Sequence, residues 1–116
     1  MRATMILCVA LAVTASMALR SHRVTQGGKT SRYDLTDGKL VYDQKCEACH
    51  YSTSDEKKIG PGLAGLMKRP KFKNGMAAND NHLRLVIERG GKDMPGFQGS
   101  LSTKQIADLI AYVKTL

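Results

Sequence analysis

The sequence predicts an all-α domain of three to four short helices joined by long loops. Three observations predict it. The sustained apolar periods are helical, most clearly Ile106, Leu109, Ile110 and Val113 at i, i+3, i+4, i+7. No stretch alternates apolar and polar residues long enough to make a strand. Glycine and proline collect between the periodic segments, where they act as chain breakers.

Residues 1–18, "MRATMILCVALAVTASMA", carry Arg2, then an apolar run from Met5 to Ala18 that ends in Ser16-Met17-Ala18. A basic start, a short apolar run and small residues at its end are the layout of a secretory signal peptide. The run meets Arg20 and Arg23 before reaching the roughly 20 apolar residues of a spanning helix; an uncleaved anchor is the alternative. Residues 19–33 are polar, show no period and read as a flexible spacer. The folded domain is expected over 34–116.

The first helix starts near Asp34 or Thr36. "LTDGKLVYDQKC" is expected to place Leu40, Val41 and Tyr42 on one side, with Gly38 one turn earlier. "SDEKKIGPGLAG" is a loop punctuated by Gly60, Pro61, Gly62 and Gly65, and "MKRPKFKNGMAAND" is basic and irregular. A second helix follows Asn79–Asn81 as capping candidates. Leu83, Val86 and Ile87 form its apolar stripe and Gly90 its stop. "KDMPGFQGS" is again a loop. The last helix has Ser102 as N-cap with Gln105 three residues on, a capping box, and Leu101 can staple to Ile106 across the start.

A chain of 116 residues supports one domain. Without the leader about 98 residues remain, and a domain of that size buries only about 60–65% of its unfolded surface. The chain has two phenylalanines and no tryptophan. So lean a core would gain from a large apolar group brought from outside, and long Gly- and Pro-rich loops make sense if they wrap one. The formal net charge is +8, and the leader holds only one of the 18 basic residues. Lys57, Lys58, Lys68, Arg69, Lys71 and Lys73 concentrate in the middle of the chain. They form either a solvated face or a docking surface for an acidic partner, steered by weak, salt-sensitive attraction. Export and the scarcity of aromatic residues argue against nucleic-acid binding.

The chemistry lies in "QKCEACHYST", residues 44–53. Of the three cysteines, Cys8 leaves with the leader, and Cys46 and Cys49 meet an oxidising compartment. On a helix Cys46, Cys49 and His50 share a face. Two thiolates so placed could add to two vinyl groups of one porphyrin, with the imidazole directed at the iron; C-x-x-C-H is the attachment signature of a c-type haem. The rival readings fit less well. A thiol-exchange pair wants a strand before it and a βαβ setting. A structural zinc needs four ligands, and only His22 or His82 could complete the set. A disulfide across C-x-x-C would close a very short loop and constrain little.

With that motif the chain resembles a small monohaem cytochrome c of class I, from about Gly38 to Val113. The resemblance rests on "GKLVYDQKCEACH", "GPGLAGL", "MPGF" and "LSTKQIADLIAYV", in that order. It implies the cytochrome c fold: short helices and loops wrapped around one covalently bound haem c. It implies thioether bonds to Cys46 and Cys49, His50 as proximal axial ligand, Met94 as distal ligand, and the Pro61 carbonyl as acceptor for the other ring nitrogen of His50. It also implies that Gly38 and Tyr42 cross Leu109 and Tyr112. His82, Met67 and Met76 are the other candidates for the sixth ligand. Pro95, which cannot continue a helix, favours Met94 on a rigid loop. The pocket is expected to be lined by Leu63, Leu66, Ile59, Val86, Phe97 and Ile110. Two departures stand out: Tyr51 follows the histidine where family members often have a small residue, and the tryptophan usual near the propionates is missing. Arg69 and Lys73 are the substitutes in view.

A haem iron with both axial positions filled is left to cycle between ferric and ferrous, and a methionine ligand raises its potential relative to two histidines. The function so implied is one-electron transfer by a soluble, monomeric periplasmic carrier between redox partners, without catalysis. The alternatives are a cytochrome subunit of a periplasmic dehydrogenase or oxidase, and a haem enzyme or sensor with an open iron site.

Overall fold

The computed structural model describes residues 32–116. The leader, nearly all of the 19–33 spacer, Cys8 and His22 lie outside the described residues. Helix α1 spans Leu35–Lys45, α2 Asp80–Arg89 and α3 Thr103–Val113, with one 3-10 turn at Leu66–Lys68. Among the described residues there is no strand, only isolated bridges joining Lys71 to Ala77 and Gln98 to Leu101.

Each helix starts on a side chain that satisfies its first free amides. Asp34 accepts from the Thr36 and Asp37 N–H groups at 2.8 and 3.1 Å. Asn79 accepts from His82 N–H at 2.9 Å. Ser102 and Gln105 form the expected capping box, at 3.2 and 2.9 Å. Leu101 and Ile106, the expected staple, are both buried. Gly90 ends α2 at φ +71°, a conformation that suits glycine.

Helices α1 and α3 cross closely, and Gly38 sets the distance. A Cβ there would fall on the Asp108 carbonyl and lie 2.9 Å from Tyr112 Cβ. The crossing buries Val41, Tyr42, Ile106, Leu109 and Val113. The Tyr42 and Tyr112 rings meet with centroids 5.5 Å apart at 53°, within the range of favourable tilted pairs. Leu40 does not join Val41 and Tyr42 as expected and is 52% exposed. Gly38, Val41 and Tyr42 follow the i, i+3, i+4 rule and turn to α3, which points the residue between them outward.

Asp108 on α3 is a buried carboxylate that the sequence reading overlooked. It accepts from the Asp34 N–H at 2.9 Å and from Lys104 Nζ at 2.5 Å, so it ties the start of α1 to α3. Burial alone would push its carboxyl up. The Lys104 ammonium and the Asp34 N–H outweigh that and hold it below its ordinary value of 3.8.

Helix α2 contributes Leu83 and Ile87 to the core, which continues through Leu63, Leu66 and Phe97 to α3. An ion pair from Lys114 to Asp80, 2.7 Å, joins α2 to the segment after α3. The Gly65 N–H donates to the Leu116 carbonyl at 3.1 Å and fastens the middle loop to the last residue.

Candidate functional site

Helix α1 ends at Lys45, so Cys46 caps the helix and the cysteine motif continues as a turn. The turn keeps helical bonding. Cys46 accepts from both the Cys49 and the His50 N–H groups, at 3.0 and 2.9 Å, which preserves the expected spacing of the three side chains. Cys46 is buried, Cys49 half-buried, and neither is in a disulfide. Burial pushes the Cys46 thiol up to about 11, with the neighbouring Cys49 adding to the shift. Among the described residues no group of three or more His, Cys, Asp or Glu is placed to hold a metal ion.

His50 is buried and held from three sides. Its Nδ1 lies 2.7 Å from the Pro61 carbonyl. The Tyr42 hydroxyl donates to its carbonyl at 2.6 Å, a bond from deep in the helix crossing. Gly60 lies flat against the ring: a Cβ there would meet ring Cε1 and come within 2.8 Å of Nδ1. With Nδ1 donating to a carbonyl, the tautomer is fixed and Nε2 carries the lone pair. Burial raises the Tyr42 phenol above its ordinary 10.0, so it stays a donor at neutral pH.

A thioether comes from the loop after α2. Residues 94–98 double back on the end of that helix. Gly91 donates to the Met94 carbonyl at 2.9 Å, Phe97 to the Ile87 carbonyl at 2.9 Å, and Gln98 to the Glu88 carbonyl at 3.0 Å. Phe97 is buried and the Met94 side chain packs half-buried against the core. The other ligand candidates lie elsewhere in the fold. The Met76 sulfur lies 3.2 Å from the Asn74 amide, outside the core cluster. His82 Nδ1 lies 2.8 Å from the Ala77 carbonyl, part of the start of α2. Met67 packs against the core from the 3-10 turn.

Leu63, Leu66, Phe97 and Ile110 are buried in the core, and Val86 is half-buried. Ile59 is 62% exposed. It sits in a loop with no period to fix its direction, one residue before the glycine that faces His50. Arg69, in view for the propionates, has backbone partners in this fold. Its guanidinium donates to the Gly62 and Ala64 carbonyls at 3.1 and 2.7 Å and braces the loop that carries Pro61. Tyr51 finds a partner as well, since the Lys58 ammonium lies 5.2 Å from its ring centre.

Unjoined Cys46 and Cys49, His50 with Nε2 free of a protein hydrogen bond, a thioether at the core and an apolar surround together suit a haem in their donor chemistry. The class defined by this fold and motif is that of c-type haem proteins. Comparison with known proteins agrees. The family model described as "Cytochrome C oxidase, cbb3-type, subunit III" matches residues 34–113. Cytochrome c of Tetrahymena pyriformis is 32% identical over 98 residues, covering 72% of this chain and 89% of that protein. Cytochrome c6 of Parathermosynechococcus lividus is 31% identical over 80 residues, covering 69% and 87%. One chain of the nicotinate dehydrogenase of Pseudomonas putida is 35% identical over 89 residues, which are 69% of this chain and only 7% of that one. Among solved structures, cytochrome c6 of the diatom Phaeodactylum tricornutum superposes with a TM-score of 0.57 at 26% identity, covering 71% of this chain and 92% of that one.

The chain belongs to the monohaem cytochrome c family. It is therefore an electron-transfer protein of a family that carries a c-type haem, not an enzyme, and its function requires redox partners.

Proposed function

We propose that this cytochrome carries single electrons in the periplasm, on a haem joined by thioethers to Cys46 and Cys49 and held between His50 and Met94. The observation that carries the reading is the 2.7 Å contact from His50 Nδ1 to the Pro61 carbonyl, which leaves Nε2 for a metal. The haem supplies a one-electron couple. The chain's own residues decide how that couple behaves. Gly60, Pro61 and the Tyr42 hydroxyl hold the imidazole in one orientation. Leu63, Leu66 and Phe97 exclude water, and a low-dielectric surround favours the less charged, reduced state. The hydrogen-bonded 94–98 loop resists rearrangement between redox states.

Lys57, Lys68, Lys71 and Lys73 are exposed and suit an acidic docking surface on a partner. The leader at 1–18 supports export, with membrane attachment only if it is retained. Among the described residues no helix is long and apolar enough to cross a membrane. A monomer is the expected state. The match to one segment of the nicotinate dehydrogenase chain favours a second reading, in which the same module serves as the cytochrome subunit of a dehydrogenase. Co-purification of a partner in fixed stoichiometry would mark it.

The test is a reduced-minus-oxidised spectrum of exported protein together with acid–acetone extraction. Colour that stays with the protein is expected. The oxidised protein should show a methionine–iron absorption that Met94→Ala abolishes; survival of that band in the variant assigns the ligand elsewhere.

A further inference from the structure

Tyr51 and Lys58 form a contact that the haem-binding reading leaves unused. Lys58 Nζ donates to the Glu47 carbonyl, inside the C-x-x-C turn, at 2.8 Å. The same ammonium lies 5.2 Å from the Tyr51 ring centre, within cation–π reach. One side chain thus bridges the turn bearing Cys46 and Cys49 to the residue just past His50, from the loop that leads to Pro61. Backbone bonds continue the seam. The Lys58 N–H donates to the Gly60 carbonyl at 3.0 Å, Gly60 N–H to Cys49 at 2.8 Å, and Leu63 N–H to Tyr51 at 2.8 Å. Lys57, next door, is exposed and makes no such bridge.

We propose that Lys58 and Tyr51 are positioning residues: a clamp that presses the 58–62 loop onto the cysteine turn and so fixes how strongly Pro61 accepts from His50 Nδ1. This rests on His50 as proximal ligand. A firmer bond at Nδ1 makes the imidazole a more basic ligand, which favours the oxidised iron. Loosening the clamp weakens that bond and raises the potential. Simple loss of a nearby positive charge acts in the opposite sense and lowers it. The two effects therefore separate by sign.

The experiment compares holoproteins carrying Tyr51→Leu, Lys58→Gln, Lys58→Arg and Lys57→Gln. Hydrogen exchange at the Gly60 amide and the His50 ring N–H reads the clamp directly. Loss of an exposed contact, the cation–π contact in Tyr51→Leu or the bond to the Glu47 carbonyl in Lys58→Gln, predicts about two- to fivefold faster exchange. Lys58→Arg and Lys57→Gln should stay near the parent protein. The potential of the uncharged change Tyr51→Leu should rise, and that of Lys58→Gln should sit above that of Lys57→Gln. Equal exchange in Lys58→Gln and Lys57→Gln, or an unmoved potential in Tyr51→Leu, overturns the proposal. Failure of the ligand reading would show separately, as absence of the methionine–iron band or of covalent haem in the parent protein, whereas the Gly60 amide tests the clamp in either case.

Discussion

Replacing Gly38 with alanine tests the helix crossing on which the site is hung. On an isolated helix the change would stabilise by about 1 kcal/mol, because alanine is the better helix former. In this fold the new methyl falls on the Asp108 carbonyl, which is backbone and cannot rotate away, and it also crowds Tyr112 Cβ at 2.9 Å. The helices must move apart. Overpacking of a close-packed contact costs about 1–3 kcal/mol and at times more. Separation also loosens the packing of Tyr42 and Leu109, each only 1% exposed. Because the clash is with backbone, the crossing term lies at the upper end of that range and outweighs the propensity term, and a net loss of about 2 kcal/mol is expected. For a domain of this size that lowers the melting temperature by roughly 8–16 °C. Thermal unfolding of the oxidised holoprotein, followed by far-ultraviolet circular dichroism, measures it. Thr36→Ala, on the same helix but exposed, serves as the control. A Gly38→Ala protein that melts at or above the parent temperature would refute the close approach.

Tyr42→Phe keeps the ring contact with Tyr112 but deletes the donor to the His50 carbonyl, and is expected to cost about 1–2 kcal/mol in denaturant unfolding. Asp108→Asn removes a carboxylate whose folded-state value lies below its ordinary 3.8. The native state therefore favours the charged form, so the stabilisation is complete above that ordinary value and fades as pH falls through the depressed one. Melting curves should show the parent ahead by about 1–2 kcal/mol at neutral pH, with the gap closing in acid. Electron transfer to an acidic partner should slow as salt rises, because the exposed lysines act over a screening length of about 10 Å at 0.1 M. A rate that does not depend on salt removes the docking role.

The helices were legible where local chemistry announces them. Ser102 with Gln105, and Asn79 with Gly90, mark ends that tertiary packing does not need to specify. The direction of a side chain was harder to read. Leu40 lies within an apolar triplet, and only the position of α3 decides that Gly38, Val41 and Tyr42 turn inward. Ile59 lies on a loop without periodicity, so nothing in the sequence sets the direction of its side chain. Arg69 was legible as a cation, but not as a brace for the Gly62 and Ala64 carbonyls, because the bend that presents them forms only in the fold. The buried Asp108 did leave a signal, since Lys104 precedes it by four residues, the spacing of a helical ion pair. The cysteine–histidine turn was the most legible part. Its chemistry is local, and the Pro61 carbonyl lies eleven residues from the ring that it orients.

The bond from the Asp34 N–H to Asp108 joins positions 74 residues apart. A chain emerging from its first end cannot close that junction until Asp108 has been made. Until then Val41 and Tyr42 have no surface to cover them, and the cysteine turn hangs from an unsupported helix. Closing so long a loop late is slow in entropic terms. Until that junction closes, the surface that covers Cys46 is incomplete.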